Sequence, residues 1–331
     1  MDILNLKEII KDEPAYRRDQ IYQAVFKDLI DDWSQAVFLP KDLRTKLAEK
    51  IPLRLNGKIN WSADQSVAKA LLTLEDGEKI ETVLIRHRDA RRTVCVSSAV
   101  GCPLACTFCA TGKKGFTRNL NPGEIVDQVL FFARHLKNKE ETVNRIVFMG
   151  MGEPFLNYDN VLSAIRILNE KNGFGLGARH FSISTVGIIE GIDKLAGENL
   201  EVNLALSLHA PNDVLRTRLM PVNRYYPFPA VLRAVDNYIQ RTRRRVMLEY
   251  ILIRNVNDSP AQAEQLLGLL HSKLYFVNLI PYNRTGNYRP STPAAVKIFK
   301  AVLEKAGVTV TQRFRFGDDL KAACGQLAAD D

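Results

Sequence analysis

The 331-residue sequence predicts an α/β fold: a parallel sheet wound into a complete or partial TIM-like barrel, behind a small N-terminal helical unit. Three observations carry this. From residue 93 onward, short apolar runs alternate with amphipathic stretches about 10–15 residues long, the pattern of repeated strand–helix–strand units and hence of parallel strands. Several of those stretches open on a capping residue followed by proline, as in Asn121-Pro122-Gly123-Glu124 and Ser259-Pro260, which marks helix starts between strands. Small and polar residues follow the strands at one consistent end, where barrels of this kind carry their chemistry. Right-handed crossovers repeated this often curl the sheet on itself.

Residues 1–50 read as the helical unit. Lys7-Glu8-Ile9-Ile10, and then Ile21, Ala24, Val25 and Leu29, sit at helical spacing; Leu39-Pro40 breaks the pattern and residues 41–50 resume it. Residues 51–92 read as a β-rich linking segment, with strand-like runs at 67–74 and 81–85 around the turn pair Asp76-Gly77. The dense basic run Arg86-His87-Arg88-Asp89-Ala90-Arg91-Arg92 follows. Residues 93–315 form the expected barrel, with strands at 93–98, 145–149, 181–186, 202–208, 246–253, 276–281 and 308–314. Helices are expected at 122–136, 160–170, 228–241, 260–271 and 293–306, and residues 316–331 form a terminal segment.

Composition narrows the class. No apolar run reaches the ~18 residues of a membrane helix, and Met1-Asp2-Ile3-Leu4-Asn5 lacks the order of a signal peptide, so a cytoplasmic protein with no membrane partner is expected. Five cysteines, an odd number, argue against a disulfide framework. A net charge of +9 points toward a polyanionic partner, with Arg88, Arg91, Arg92, Lys113 and Lys114 as candidate phosphate contacts. The run Arg243-Arg244-Arg245 opens a strand at the opposite end of the barrel and is the weaker candidate.

The chemistry centres on Cys102-Pro103-Leu104-Ala105-Cys106-Thr107-Phe108-Cys109. Three thiols spaced Cys-x3-Cys-x2-Cys, with no Cys or His at the spacing of a fourth zinc ligand, suit a [4Fe–4S] cluster with one open iron position. The known occupant of such a position is the amino-carboxylate end of S-adenosylmethionine (SAM). The first expected strand feeds this loop. Gly150-Met151-Gly152-Glu153-Pro154 follows the second, Ser184-Thr185-Val186-Gly187 ends the third, Ser207-Leu208-His209-Ala210 ends the fourth, and Asn283 follows the sixth. His209 is equally compatible with a core position and with a ligand contact. Thr111-Gly112-Lys113-Lys114-Gly115 is not a Walker loop, because Thr107 and Lys114 stand where that motif needs Gly and Ser/Thr.

These segments, together with Cys95-Val96-Ser97-Ser98-Ala99-Val100-Gly101, Pro211-Asn212 and the terminal Ala322-Ala323-Cys324-Gly325-Gln326-Leu327, resemble the radical-SAM adenine methyltransferases of ribosomal RNA, the RlmN/Cfr family, over nearly the whole chain. The resemblance implies a partial (β/α)6-type radical-SAM barrel and methylation of carbon 2 of an adenosine in 23S rRNA, with tRNA as a second expected substrate. It implies two SAM molecules per turnover and an electron donor such as flavodoxin or ferredoxin acting on a monomer. Cys102, Cys106 and Cys109 would hold the cluster. Gly152, Glu153, Ser184, Ser207, Leu208, His209 and Asn283 would contact SAM. Cys324 would carry a methyl group, Cys95 would resolve the covalent adduct by forming a disulfide with Cys324, and Glu81, in Glu81-Thr82-Val83, would be the general base. Leu320-Lys321 stands where relatives usually carry Ile-Asp, which places a lysine near Cys324 in sequence. On this reading Cys324 swings in on a flexible segment held by Gly317 and Gly325. Two alternatives stay open: methylation of carbon 8 of the same adenosine, and a non-enzymatic iron–sulfur RNA-binding protein.

Overall fold

The chain first forms three helices, α1 (Ile3–Ile9), α2 (Ala15–Tyr22) and α3 (Lys41–Lys50), because its apolar residues there recur on one face. Strands β1 (Asn56–Trp61), β2 (Val67–Thr73) and β3 (Lys79–Arg86) follow as an antiparallel meander, and β4 (Arg92–Val96) pairs antiparallel with β3. A short hairpin, β5 (Ala99–Gly101) and β6 (Phe116–Asn119), frames the cysteine loop and helix α4 (Ala110–Lys114). The repeating units then run α5 (Pro122–Lys137), β7 (Arg145–Phe148), α6 (Tyr158–Asn169), β8 (Phe181–Thr185), α7 (Ile189–Gly197) and β9 (Asn203–Ser207). They continue through α8 (Asp213–Leu219), α9 (Phe228–Thr242), β10 (Val246–Leu252), α10 (Pro260–Leu267), β11 (Tyr275–Pro281), α11 (Pro293–Lys305) and β12 (Val310–Gln312). This is a computed structural model, and it describes residues 1, 3–313 and 320–329, the side chain of residue 4 excepted. Phe314, at the end of the last expected strand, the 315/316 boundary and the expected hinge Gly317 lie outside the described residues.

Ten strands form one sheet in the order β1-β2-β3-β4-β7-β8-β9-β10-β11-β12, parallel from β4 onward. The two edge strands are β1 and β12, so the barrel is partial. Segment 51–92 continues this sheet by three antiparallel strands. Among the expected elements, helix 260–271 ends early, at Leu267, where Gly268 takes the cap position. β1 was not expected, since Asn56 and Gly57 are poor strand formers. Pairing overrides propensity there: a Cβ on Gly57 would come within 2.5 Å of Leu72 and 2.8 Å of Phe131, so glycine is what lets β1 lie against them. α7 also escaped sequence reading, because Gly191 interrupts its apolar pattern; that glycine faces the Phe155 ring, which would stand only 2.5 Å from a Cβ at this position.

The helical unit packs on the outer face of α5, which is why α5 is buried almost all round. The Met1 amine pairs with buried Asp127, and Arg134 donates to the carbonyls of Ile30 (3.1 Å) and Leu53 (2.9 Å). The capping signals read at Asn121 and Ser259 are present, and both prove to be full capping boxes, closed by Glu124 and Gln262. No helix among the described residues is long and apolar enough to cross a membrane.

Strand alternation sorts the rest. Val94 and Val96 point outward into the helix layer, while Thr93 and Cys95 point into the barrel. Ser182, Asn203, Met247 and Asn278 also face inward. A barrel interior is ordinarily filled by branched apolar side chains. Here polar residues stand among apolar ones such as Val83, Val147 and Ile280, and a cavity of about 650 Å³ remains.

Candidate functional site

The cysteine loop leaves β5 and returns through α4. Its path is fixed by backbone bonds from Cys102 N–H to the Gly115 carbonyl (2.7 Å), from Thr107 N–H to Leu219 (3.0 Å) and from Cys109 N–H to Cys106 (3.1 Å). Burial pushes the Cys102 thiol up to about 12, and Cys106 well above its ordinary value, with the neighbouring thiols adding to both. Arg216 sits beside them, fully buried, and donates to Asn223 (2.6 Å), Ser207 (3.3 Å) and Val186. Burial lowers its pKa to about 10, and the charge of Cys106 opposes that. One buried and two half-buried thiols with one arginine need more positive charge before they can ionise together, and irons would supply it. Among the described residues no three such groups converge on a single-ion site. A cube asks for one thiolate on each of three irons, so this donor set fits a [4Fe–4S] cluster.

The Gly150–Glu153 run lies against the chain that enters the cysteine loop. A Cβ on Gly150 would stand 2.7 Å from Ser97 Oγ and the Val96 carbonyl, and one on Gly152 would stand 2.7 Å from Ser98 Oγ. Gly152 also has φ +98°, so both glycines are required by close approach and the second by its backbone as well. Glu153, thereby held, is 4% exposed and accepts from the N–H groups of Phe155 (3.1 Å) and Val186 (2.9 Å). Burial pushes its carboxyl up to about 7. A buried carboxylate facing the thiol loop, with no cationic partner among the described residues, fits the ammonium of an amino acid.

The other rim residues converge nearby. Ser184 Oγ meets Ser207 Oγ at 3.1 Å and donates to Glu249 at 2.9 Å. The N–H groups of Leu208 and His209 donate to the Glu249 carbonyl at 3.0 and 3.2 Å. His209 is buried with left-handed φ; its Nδ1 accepts from Ile251 N–H (3.1 Å), and its ring meets Phe108 of the cysteine loop edge-on at 5.1 Å. Burial lowers its pKa to about 3, so it is a neutral imidazole with its proton on Nε2. Asn283 donates to the Cys324 carbonyl (3.3 Å), and its buried Oδ1 has no protein partner, as expected of a side chain that accepts from a ligand.

Cys95 and Cys324 both line the cavity. Arg313 donates to Cys324 Sγ at 2.7 Å, to Glu249 at 3.1 Å and to Met149 Sδ at 3.3 Å. The charge of Cys324, then those of Glu249 and Cys95, hold Arg313 protonated against its burial. Cys95 is pushed up to about 12 by burial and then by the charge of Cys324, with Arg313 opposing, and both thiols line the same cavity. Cys324 therefore already occupies the site. Its segment is tied down by Ala110 N–H to Gly325 (2.7 Å), Thr111 Oγ1 to Leu327 (2.6 Å) and Ala328 N–H to Glu81 (2.7 Å). Glu81 is buried, not exposed; it also pairs with Lys69 at 2.7 Å and lies one inward position above the Val83–Cys95 pair. Lys321 is exposed, and Arg313 is the cation at Cys324.

Sequence reasoning missed Arg313, Glu249 and Arg216. One signal was present, since Glu249 is the lone charge in the apolar run 246–252. Nothing local marks Arg313 or Arg216 among 46 basic residues. Of the expected phosphate contacts, Arg92 instead shares Glu141 with Arg86, which holds the Glu141 carboxyl down at about 2, and Arg91 pairs with Asp89 at 2.8 Å.

Residues 96–267 match the model of the Radical SAM superfamily. A probable dual-specificity RNA methyltransferase RlmN of Dictyoglomus thermophilum is 46% identical over 99% of this chain and 95% of its own length. One from Chloroflexus aurantiacus is 45% identical over 96% of this chain and 88% of its own. The crystal structure of a radical SAM methyltransferase from Sphaerobacter thermophilus superposes with a TM-score of 0.96 at 43% identity, covering 100% of this chain and 98% of that one. The radical-SAM fold read from the sequence is therefore that of its relatives, and the chain belongs to the RlmN family of SAM-dependent methyltransferases within the radical SAM superfamily.

Proposed function

We propose that the protein methylates carbon 2 of an adenosine in 23S rRNA, and of one in tRNA, using Cys324 as a methyl carrier and two SAM molecules per turnover. The observation that supports this most is the meeting of Cys95, Cys324 and Arg313 in one cavity beneath the cysteine loop. A non-enzymatic RNA-binding protein has no use for that arrangement. Carbon 2 lies between two ring nitrogens and is too electron-poor to displace a methyl group from SAM itself. Cys324 does so instead, its sulfur attacking the SAM methyl while the Arg313 guanidinium balances the charge. Cys102, Cys106 and Cys109 hold the [4Fe–4S] cluster, which with bound SAM and an external one-electron donor supplies hydrogen-atom abstraction. Glu153 receives the SAM ammonium, while Ser184, Ser207, Leu208, His209 and Asn283 line the rest of its site. With the abstracted hydrogen taken from the methyl on Cys324, that carbon joins the base, and Cys324 holds the RNA covalently. The radical adduct would return one electron through the iron–sulfur site, Glu81 accepts the ring proton, and the Cys95 thiolate attacks the Cys324 sulfur, breaking its bond to the methylene carbon, which takes up a proton to become the product methyl and leaves a Cys95–Cys324 disulfide. Two electrons from an external thiol reductant restore both cysteines.

The test is incubation of cluster-loaded protein with reductant, SAM and each RNA, followed by nucleoside mass spectrometry. 2-Methyladenosine is expected in both RNAs; 8-methyladenosine, or 5′-deoxyadenosine without methylated RNA, overturns the reading.

Glu153 gives a pH signature. Its carboxyl titrates near 7 in the ligand-free protein, and only the ionised form pairs with an ammonium. SAM affinity is therefore expected to be level above pH 7 and to fall by up to about tenfold per unit below it. Glu153→Gln should weaken SAM binding and flatten that profile. The sign reverses for stability: a carboxyl raised in the fold loses stability as pH climbs from its unfolded value toward 7. Glu153→Gln should consequently remove this loss of stability between about pH 5 and 8, although its amide NH2 leaves one of the two backbone N–H groups without an acceptor. Calorimetry of SAM binding at pH 6 and 8, and melting of both proteins, check the pair of effects.

A further inference from the structure

The cavity below Cys324 has two ends. At the end where the parallel strands finish, the terminal segment covers it through the bonds to Ala110, Thr111, Glu81 and Asn283. Lys113 and Lys114 are spent on the same closure, donating to the carbonyls of Thr285 (2.8 Å) and Ala329 (3.0 Å). At the other end, where the strands begin, the wall is made by Arg91, Arg145, Asn203, Arg245, Phe276 and Thr311. Arg145 opens β7 and Arg245 immediately precedes β10. Among the described residues neither Arg145 nor Arg245 has a carboxylate within ion-pair distance; Arg245 lies over the Phe276 ring at 4.7 Å. Arg91, Arg245 and Thr311 are exposed, so this end faces solvent.

An enzyme acting on a base takes it out of the stack and into a pocket. A cavity of about 650 Å³ is large enough for one nucleotide. Unpaired guanidiniums at its mouth match the phosphates on either side, and an arginine-backed phenylalanine offers a stacking face.

We infer that the target nucleotide reaches the reactive cysteines through the lumen from the end where the parallel strands begin, opposite the cysteine loop, with Arg145 and Arg245 holding its flanking phosphates. This rests on the function proposed above. SAM and RNA then approach Cys324 from opposite sides, so the carrier sulfur stands between donor and acceptor and neither substrate blocks the other. Arg245, the weaker candidate from its place in the sequence, becomes a principal one because the lumen connects that rim to Cys95 and Cys324.

The test compares an Arg145→Gln, Arg245→Gln double variant with an Arg145→Lys, Arg245→Lys pair and with Lys113→Gln, Lys114→Gln, each as the cluster-loaded full chain. RNA affinity is measured against salt concentration, and Cys324 methylation by peptide mass. Two lost contacts to single-stranded RNA should make the slope of log K against log salt shallower by about 1.4 units. The Gln pair should show that change with at least tenfold weaker binding, the Lys pair should keep most of both, and Cys324 should be methylated in all. Met247→Trp, which narrows the lumen at the level of Phe276, should lower RNA methylation more than 100-fold while Cys324 is still methylated. Wild-type affinity and slope in the Gln pair, or loss in the Lys113 and Lys114 variant instead, would place the way in on the cysteine-loop side. If the wild-type protein itself fails to methylate RNA, the proposed function falls; if it succeeds and the Gln pair matches it, only the route falls.

Discussion

Replacing Cys95 by alanine is expected to stop turnover and leave RNA covalently attached to Cys324. A small buried strand cysteine would ordinarily tolerate this change at about 1 kcal/mol or less, as a modest loss of packing. Cys95 is not merely packed, however. It faces the cavity from β4, opposite Val83, and feels the charge of Cys324. Burial holds it as a neutral thiol up to about pH 12, so it does not compete with Cys324 for the methyl of SAM. It becomes a nucleophile only when its proton can leave. Without it the adduct has no partner sulfur. Protein and RNA should then co-purify through denaturation, and the adduct should vanish in a Cys95→Ala, Cys324→Ala double variant. Normal turnover with no trapped RNA would make Cys95 a core residue.

Arg313→Met is expected to be almost as damaging, for a different reason. Its guanidinium spans Cys324 and the buried Glu249. Removing it strands Glu249, which still carries the Ser184 hydroxyl; leaving one half of a buried pair costs about 3–5 kcal/mol. It also removes the cation beside the attacking sulfur, which should slow methylation of Cys324 by roughly 10²–10³, equivalent to about 3–4 kcal/mol of barrier. Arg313→Lys should recover part of the rate, since a lysine keeps the charge but cannot span both partners. Arg313→Met with Glu249→Gln should recover stability without recovering the rate. Single-turnover methylation of Cys324, followed by mass, and thermal melting separate the two. A Met variant that methylates Cys324 at the wild-type rate would reduce Arg313 to a structural tie.

Much of the fold was readable because period and punctuation coincide. Apolar strands buried on both faces, helices of 3.6-residue period, and caps such as Asn121/Glu124 are local patterns, and the seven parallel strands lie where those patterns put them. What escaped was decided by contact at a distance. β1 exists because Gly57 lets it approach Leu72 and Phe131, and α7 because Gly191 fits under Phe155. Neither effect has a signature in its own segment, where glycine reads as a break.

The candidate site divides in the same way. The Cys-x3-Cys-x2-Cys spacing, the glycines before Glu153 and the two outlying cysteines are covalent facts of the sequence, and their resemblance to a known family pointed to a radical-SAM chain. The tertiary structure alone decided which charges surround those thiols. Arg313 meets Cys324, Arg216 lies beside Cys106, and Glu81 is tied to Lys69 and the tail, because strands far apart in sequence share one lumen. It also decided that Cys324 rests in place, since Ala110, Thr111, Glu81 and Asn283 all bind its segment. Which rim is closed and which is open follows from the same bonds. A sequence states which groups exist; burial and distance, which set the strength of every charge among them, arise only when the sheet curls and the terminal segment folds back over its end.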